Sequence, residues 1–454
     1  MNARLVDVSA ITRALEKTTL HVDGRVERIS GLLIEATLPQ VKIGAGVVID
    51  SDDGPVAAEV VGFNGTRALL MPVGDTVGLR ESARVRVVED RASINVGPAL
   101  LGRILDPMLM PLDGLPPPIG TTPAPLHKAA PPAMLRRRIS IPLPTGVRAI
   151  DTCLTIGEGQ RVGIMAGAGV GKSVLLGMLA RSTQCDVIVA GFVGERGREV
   201  REFVERDLGP EALKRSVLII ATSDQAPLLR VRAAAAATAV AEAFREQGKK
   251  VLLLIDSLTR VAMAQREIGL SAGEPPTTKG YPPSVFVQLP KLLERAGNDG
   301  GTGSITGIYT VLVEGDDLSD PVADSARSIL DGHIVLSRKL AGAGHFPAID
   351  ILTSTSRVMG DIVDEKHLDI ARGLRGELAT YAESADLVEV GAYVKGTNAK
   401  LDAALFHRPE LMNLLRQNPA DRTPIADSLE RARRLLVSTE TPATGVRRPP
   451  ERST

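Results

Sequence analysis

The spacing of apolar and polar residues changes several times along the chain, and each change marks an expected boundary. Within residues 1–20, Leu5, Val8, Ile11 and Leu15 recur at helical spacing and predict a short amphipathic helix. That stripe suits either packing on the chain's own domain or docking on a partner. From 21 to 95 the texture becomes short β runs, over Val22 to Ile29, Leu32 to Leu38, Val56 to Phe63, Ala68 to Pro72 and Val85 to Val88. Asp53-Gly54 and Asn64-Gly65 are hairpin signals between them, so a small β-barrel that holds subunits together is expected. Residues 96–145 are rich in proline and predict an extended connector.

Residues 146–360 alternate strands with helices. Continuous apolar runs over Arg161–Ala166, Asp186–Phe192, Ser216–Ala221, Val251–Asp256, Ile305–Val313 and His333–Leu336 predict a parallel sheet covered on both faces. The alanine-rich run from Ala233 to Phe244, followed by Gly248, reads as a covering helix. Helical texture dominates 361–438, over Ile362 to Glu383 and Lys400 to Gln417. Residues 439–454, rich in Pro, Thr and Arg, predict a disordered tail.

Composition narrows the function. Lys+Arg and Asp+Glu number 54 each, so no basic excess points to nucleic acid. Trp is absent and there are 4 Tyr, which argues against a base-stacking platform. Cys153 and Cys185 have no metal-ligand spacing and read as reduced thiols of a cytosolic protein. Met1 to Leu20 carries charges throughout, unlike a secretory signal. No apolar run approaches the roughly 20 residues that span a bilayer, so any membrane association is expected to be peripheral.

The chemistry centres on Ala166-Gly167-Ala168-Gly169-Val170-Gly171-Lys172-Ser173. A phosphate-binding loop reads Gly, four residues, then Gly-Lys-Ser/Thr, and Ala166 departs from it by one methyl group. Gly169 and Gly171 let the backbone curl until successive N–H groups face phosphate oxygens. Lys172 suits the β- and γ-phosphates and Ser173 a magnesium ion. The bland alternative is a glycine-rich strand–helix turn without a ligand. The apolar strand Val251-Leu252-Leu253-Leu254-Ile255 ends in Asp256, a carboxylate for the metal or a cap before Ser257. Glu195, in Gly194-Glu195-Arg196-Gly197-Arg198-Glu199 after another apolar strand, fits a group that orients or deprotonates water. On spacing alone a solvated charge cluster fits equally well.

Together, the loop, Gly194-Glu195-Arg196 and Asp256-Ser257-Leu258-Thr259-Arg260 resemble the catalytic subunits of rotary ATP synthases and their protein-export relatives. Gly273-Glu274-Pro275-Pro276-Thr277-Thr278-Lys279-Gly280-Tyr281-Pro282-Pro283-Ser284-Val285-Phe286, Glu314-Gly315-Asp316-Asp317 and Arg327-Ser328-Ile329-Leu330-Asp331-Gly332 narrow the resemblance to the export ATPases of flagella and type III secretion systems. It spans about residue 21 to about 420. The resemblance implies an α/β fold, with a RecA-like P-loop core and parallel sheet between an N-terminal β-barrel and a C-terminal helical domain. It implies ATP and Mg²⁺ as ligands, held by Ala168, Gly169, Val170, Gly171, Lys172, Ser173 and Val174. Magnesium is then bound by Ser173 and, through water, by Asp256. Glu195 matches the catalytic glutamate, Arg196 and Arg260 match arginines lining the phosphates, and Arg357 matches an arginine finger lent to the neighbouring subunit.

One chain carrying both Glu195 and Arg357 can complete a site between two copies of itself, and the resemblance implies that the ring is a homo-hexamer. The further implied partners are a stator-like protein at the N-terminal helix, a central coupling protein at the hairpin around Ala379 to Leu387, export-gate membrane proteins and chaperone–substrate complexes, with no nucleic acid. The location implied is the cytoplasm, at the inner membrane. Val61-Gly62-Phe63-Asn64-Gly65, Met263-Ala264-Gln265-Arg266-Glu267 and Val390-Gly391-Ala392-Tyr393-Val394-Lys395-Gly396 favour the flagellar apparatus over an injectisome. A rotary synthase subunit, an RNA-stimulated ring motor and a non-catalytic scaffold are more distant alternatives. Three departures stand out: Phe346 where the family has Tyr against adenine, Leu414 where Phe is common on the other face, and Pro107-Met108-Leu109-Met110 in place of a Gly-containing turn.

Overall fold

The alternating segment closes into a six-stranded antiparallel barrel. Its strands are β1 (Asp23–Ser30), β2 (Leu33–Thr37), β3 (Gly46–Ile49), β4 (Val56–Asn64), β5 (Arg67–Pro72) and β6 (Arg84–Glu89), in the order β1-β2-β5-β4-β3-β6. Val26, Ile34, Ala36, Val47, Ile49, Val60, Leu70 and Val85 alternate inward and form its core. Gly65, at φ 61, turns β4 into β5, where Asn64 pairs with Arg67. Strand β3 is missing from the sequence reading because four residues give too short a run for an alternation signal.

The computed structural model describes residues 23–313 and 317–437. The candidate helix at 1–20, Glu314-Gly315-Asp316 and the tail 439–454 lie outside the described residues.

The connector is bound along the core rather than free. Its strands β7 (Ser93–Val96) and β9 (Thr122–Pro125) pair with each other, while β8 (Arg103–Leu105) joins the central sheet beside a core strand. The Arg103 guanidinium grips Asp113 at 2.7 Å and holds that carboxyl well below its ordinary range, at about 2. Arg136 and Arg137 donate to the carbonyls of Glu294 (2.6 Å) and Gly303 (2.8 Å). Proline content predicts the extended backbone, but it carries no signal for these arginine straps. In the turn at 107–110, Leu109 takes φ 62, the left-handed conformation that a glycine would adopt without strain. The Asp106 carboxylate accepts from the N–H groups of Met108 and Met110 and holds that turn.

The central strands are β10 (Arg161–Ala166), β11 (Val187–Glu195), β12 (Ser216–Thr222), β13 (Lys250–Asp256), β14 (Gly297–Asn298), β15 (Ser304–Leu312), β16 (Gly332–Leu336) and β17 (Ile349–Ser356). They form a nine-stranded sheet in the order β17-β16-β10-β15-β13-β11-β12-β8, with β14 beside β15. From β16 to β8 the pairings are parallel, and β17 is an antiparallel edge. Successive residues face opposite cores. Val187 and Val189 join the side covered by helix α2 (Pro227–Glu246), and Ile188 and Ala190 the side covered by helix α1 (Lys172–Ser182).

Further helices α3 (Leu258–Ser271), α4 (Pro283–Leu293) and α5 (Pro321–Ile329) belong to the core. Beyond it, α6 (Glu365–Glu389), α7 (Ala399–Leu415) and α8 (Ile425–Val437) make the helical domain. Asp364 and Asn398 cap α6 and α7 through their side-chain oxygens. The buried Arg148 guanidinium ties this domain to the core, donating to the carbonyls of Leu414 and Arg416.

Candidate functional site

Three neighbouring regions of the sheet end at one place. Strand β10 ends at Ala166, β13 at Asp256 and β11 at Glu195, all at their carboxyl ends, where open parallel sheets place ligands. The chain then leaves Ala166 and enters α1 at Lys172. Ala166 is buried in the core on the α1 side, so its extra methyl group packs into the sheet. Gly169 and Gly171 have φ 76 and 91, and a Cβ on Gly169 would meet nothing within 4 Å. No side chain caps α1, which leaves its first-turn N–H groups for an anion.

Lys172 Nζ lies 2.6 Å from Asp256 Oδ1 and 3.2 Å from Glu195 Oε1. Thr310, on β15, donates its hydroxyl to the same Asp256 oxygen at 2.5 Å. Burial opposes the charge on Lys172, but Asp256 and Glu195 outweigh it and push its pKa up. Burial and the like charge of Asp256 push Glu195 above the ordinary carboxylate range, against the pull of Lys172. With Glu195 as a general base, the role that the sequence resemblance implies, activity should fall as pH drops through its raised pKa, because only the carboxylate accepts a proton. The acid limb of kcat/KM is therefore expected above the ordinary glutamate value of about 4.3. A pH–rate profile with its limb at or below that value contradicts this electrostatic picture.

The residues fit a nucleoside triphosphate with magnesium. The uncapped helix start, the open loop glycines and Lys172 suit phosphates. The Ser173 hydroxyl and the Asp256 carboxylate suit Mg²⁺. No group of three His, Cys, Asp or Glu among the described residues could hold a metal alone, so phosphate oxygens and water would complete the shell.

The other candidate residues divide. Arg260 packs over Gly194, where an added Cβ would lie 3.2 Å from the arginine side chain. Its Nε is buried without a hydrogen-bond partner among the described residues. Arg196 points to solvent and pairs with Glu199 at 3.6 Å, apart from the Lys172 cluster. The Phe346 ring stands against Gly171, where an added Cβ would meet it at 3.3 Å, and it is 39% exposed. Leu414 is not brought to that face. It is 2% exposed inside the core on the α1 side, and its backbone carbonyl accepts from Arg148 Nε at 2.8 Å.

Arg357 lies at the far end of the sheet. Leu336 pairs with Ala166 and Ile349 beside the loop, whereas Gly332 pairs with Ser356 at the other end. The six residues of β10 span about 20 Å at ~3.3 Å each, beyond the reach of an arginine. Thr310, which holds Asp256, was missed in the sequence. The strand also carries Ser304 and Thr306, so nothing in the sequence singles Thr310 out.

Comparisons with known proteins show the family. The ATP synthase alpha/beta family nucleotide-binding domain matches residues 146–356, the same family's beta-barrel domain 26–88, and the T3SS EscN ATPase C-terminal domain 363–433. The chain is 52% identical over 419 residues to a flagellum-specific ATP synthase of Salmonella typhimurium, covering 90% of this chain and 92% of that protein. It is 50% identical over 400 residues to a type 3 secretion system ATPase of Xanthomonas euvesicatoria, covering 88% and 90%. The assembled ATPase EscN from enteropathogenic E. coli superposes with a TM-score of 0.87 at 43% identity, covering 91% of this chain and 100% of that one. EscN in complex with its central stalk EscO superposes with a TM-score of 0.84 at 42% identity, over 91% and 100%.

Proposed function

We propose, since the chain belongs to the ATP synthase alpha/beta family and within it to the flagellar and type III secretion ATPases, that it is the ATP hydrolase of a flagellar protein export apparatus. The observation that supports the mechanism is the separation of Arg357 from the phosphate loop within one chain. Lys172, Glu195 and Asp256 converge at the loop, while Arg357 sits beyond their reach. A ring, a homo-hexamer in this reading, brings the Arg357 of one copy to the loop of the next.

Within that site the loop N–H groups and Lys172 hold the phosphates, and Glu195 orients a water and takes its proton during attack on phosphorus. Ser173 and, through water, Asp256 would hold magnesium, which would supply charge neutralisation for the phosphates. Lys172, Arg260 and the arginine from the next copy offset the charge that spreads over the transferred group. Phe346 gives the base an apolar face.

Hydrolysis in this reading frees export substrates from chaperones and feeds them to a membrane export gate. A stator-like protein binds residues 1–20, and a central coupling protein binds the tip of the α6–α7 hairpin. Val390 and Val394 expose apolar surface at that tip, 76% and 66% exposed. Among the described residues no helix is long and apolar enough to cross a membrane, so the ring would reach the inner membrane from the cytoplasm through partners. The injectisome is the second reading, favoured by the EscN-type C-terminal domain.

The test is direct. The purified chain alone should hydrolyse ATP with magnesium, without stimulation by RNA. Val390→Asp with Val394→Asp should abolish binding of the flagellar coupling protein and leave basal hydrolysis unchanged. Binding only to the injectisome counterpart would select the second reading. Stimulation by RNA would replace both.

A further inference from the structure

We infer that Gln160 is a positioning residue for the arginine that each chain lends to its neighbour. This rests on the trans role of Arg357 proposed above. Gln160 immediately precedes β10 and is 0% exposed. Its side-chain oxygen accepts the Gly157 N–H at 2.8 Å. Its amide nitrogen donates to the Asp331 carbonyl at 3.1 Å and to the Ser356 hydroxyl at 3.2 Å. The Asp331 carbonyl also accepts the Arg357 N–H at 2.9 Å. The Ser356 hydroxyl in turn donates to the Thr155 carbonyl at 2.8 Å. One buried amide therefore fixes both the residue before Arg357 and the carbonyl that holds the Arg357 backbone.

The guanidinium is aimed by the same frame. Its Nη1 and Nη2 donate to the carbonyls of Leu330 (3.2 Å) and Arg327 (3.1 Å) at the end of α5. Of five N–H donors, three remain for an anion on another chain. The Asp331 carboxylate grips Arg161 through its N–H at 3.0 Å and its Nε at 3.1 Å. The strand that delivers a chain's own phosphate loop at one end thus anchors, at its other end, the arginine meant for a different loop. A buried amide that only filled its own turn would need no bond to Ser356 or Asp331, which lie 196 and 171 residues away in sequence.

Gln160→Glu keeps the size and the acceptor for Gly157, and it replaces the donating nitrogen with an oxygen facing the Asp331 carbonyl. A displacement of about 1 Å in a catalytic group can cost about 100-fold. The expected result is a 10- to 100-fold fall in kcat, with ATP binding within about twofold of wild type. The decisive readout is mixing. Glu195→Gln protein offers an intact arginine and should restore activity to Gln160→Glu, whereas Arg357→Ala protein should not. Ser356→Ala removes one branch alone and should show the same asymmetry with a smaller loss, should Gln160→Glu fail to assemble. An unchanged kcat, rescue by Arg357→Ala, or no rescue by Glu195→Gln overturns the role of Gln160. Full activity of Arg357→Ala by itself overturns the trans arginine beneath it instead.

Discussion

Arg357→Ala is expected to lower kcat by about 10³- to 10⁵-fold, the range for removal of an arginine finger. ATP binding should stay within a few-fold of wild type. The split follows from geometry. The P-loop and Lys172 lie at the opposite end of the sheet from Arg357 in the same chain, so the substitution leaves the chain's own binding residues intact. Nor should it unfold the protein, because Arg357 is exposed and its two side-chain bonds go to carbonyls at a helix end that water can reach. Measured binding of a fluorescent ATP analogue beside steady-state hydrolysis checks the split. A large loss of binding with little change in kcat would place Arg357 in its own chain's pocket.

Glu195→Gln carries the second large effect, a fall in kcat of about 10²- to 10⁴-fold, the usual worth of a general base. Here the sign of the binding change is also informative. The substitution removes one of the two carboxylates that hold Lys172 and leaves Asp256 at 2.6 Å. It also removes a negative charge from beside the incoming phosphates. ATP should therefore bind at least as tightly as to wild type, and titration of the variant with ATP analogue reads this directly. Weaker binding would mean that Glu195 holds the nucleotide rather than acting on water.

These two residues were unequally visible in the sequence. The phosphate loop was legible because its glycines, Lys172 and Ser173 are contiguous and local geometry dictates their types. Asp256 was legible because a long apolar strand ends on it. Glu195 was ambiguous until the structure placed it beside Lys172, whereas Arg198 pairs with Glu202 in solvent. Arg357 has no intrachain signal at all, since a residue proposed to serve another copy leaves no spacing to read. Its role came from resemblance, and the register of β17 now supplies a physical reason.

The fold followed the same rule. Long apolar strands and the alanine-rich helix were readable, while the short β3 and β8 and the polar edge strand β17 were not. Strand β17 reads Ile-Asp-Ile-Leu-Thr-Ser-Thr-Ser, with little apolar periodicity, and its place comes from pairing with β16. Leu414 shows the opposite failure. A position transferred by resemblance is buried in the core, in a segment whose carbonyl is held by Arg148. Such long-range side-chain to backbone bonds, like those of Arg136 and Gln160, leave no periodic trace.

The most direct test of the shared site is hydrolysis by a mixture of Glu195→Gln and Arg357→Ala proteins, followed across protein concentration. In an equal mixture about a quarter of ring interfaces join a sound loop to a sound arginine. Each variant alone should be inactive, and the mixture should recover activity that rises more steeply than protein concentration. Activity of Arg357→Ala alone, proportional to its concentration at every dilution, would mean that each chain hydrolyses ATP unaided and would contradict the shared site.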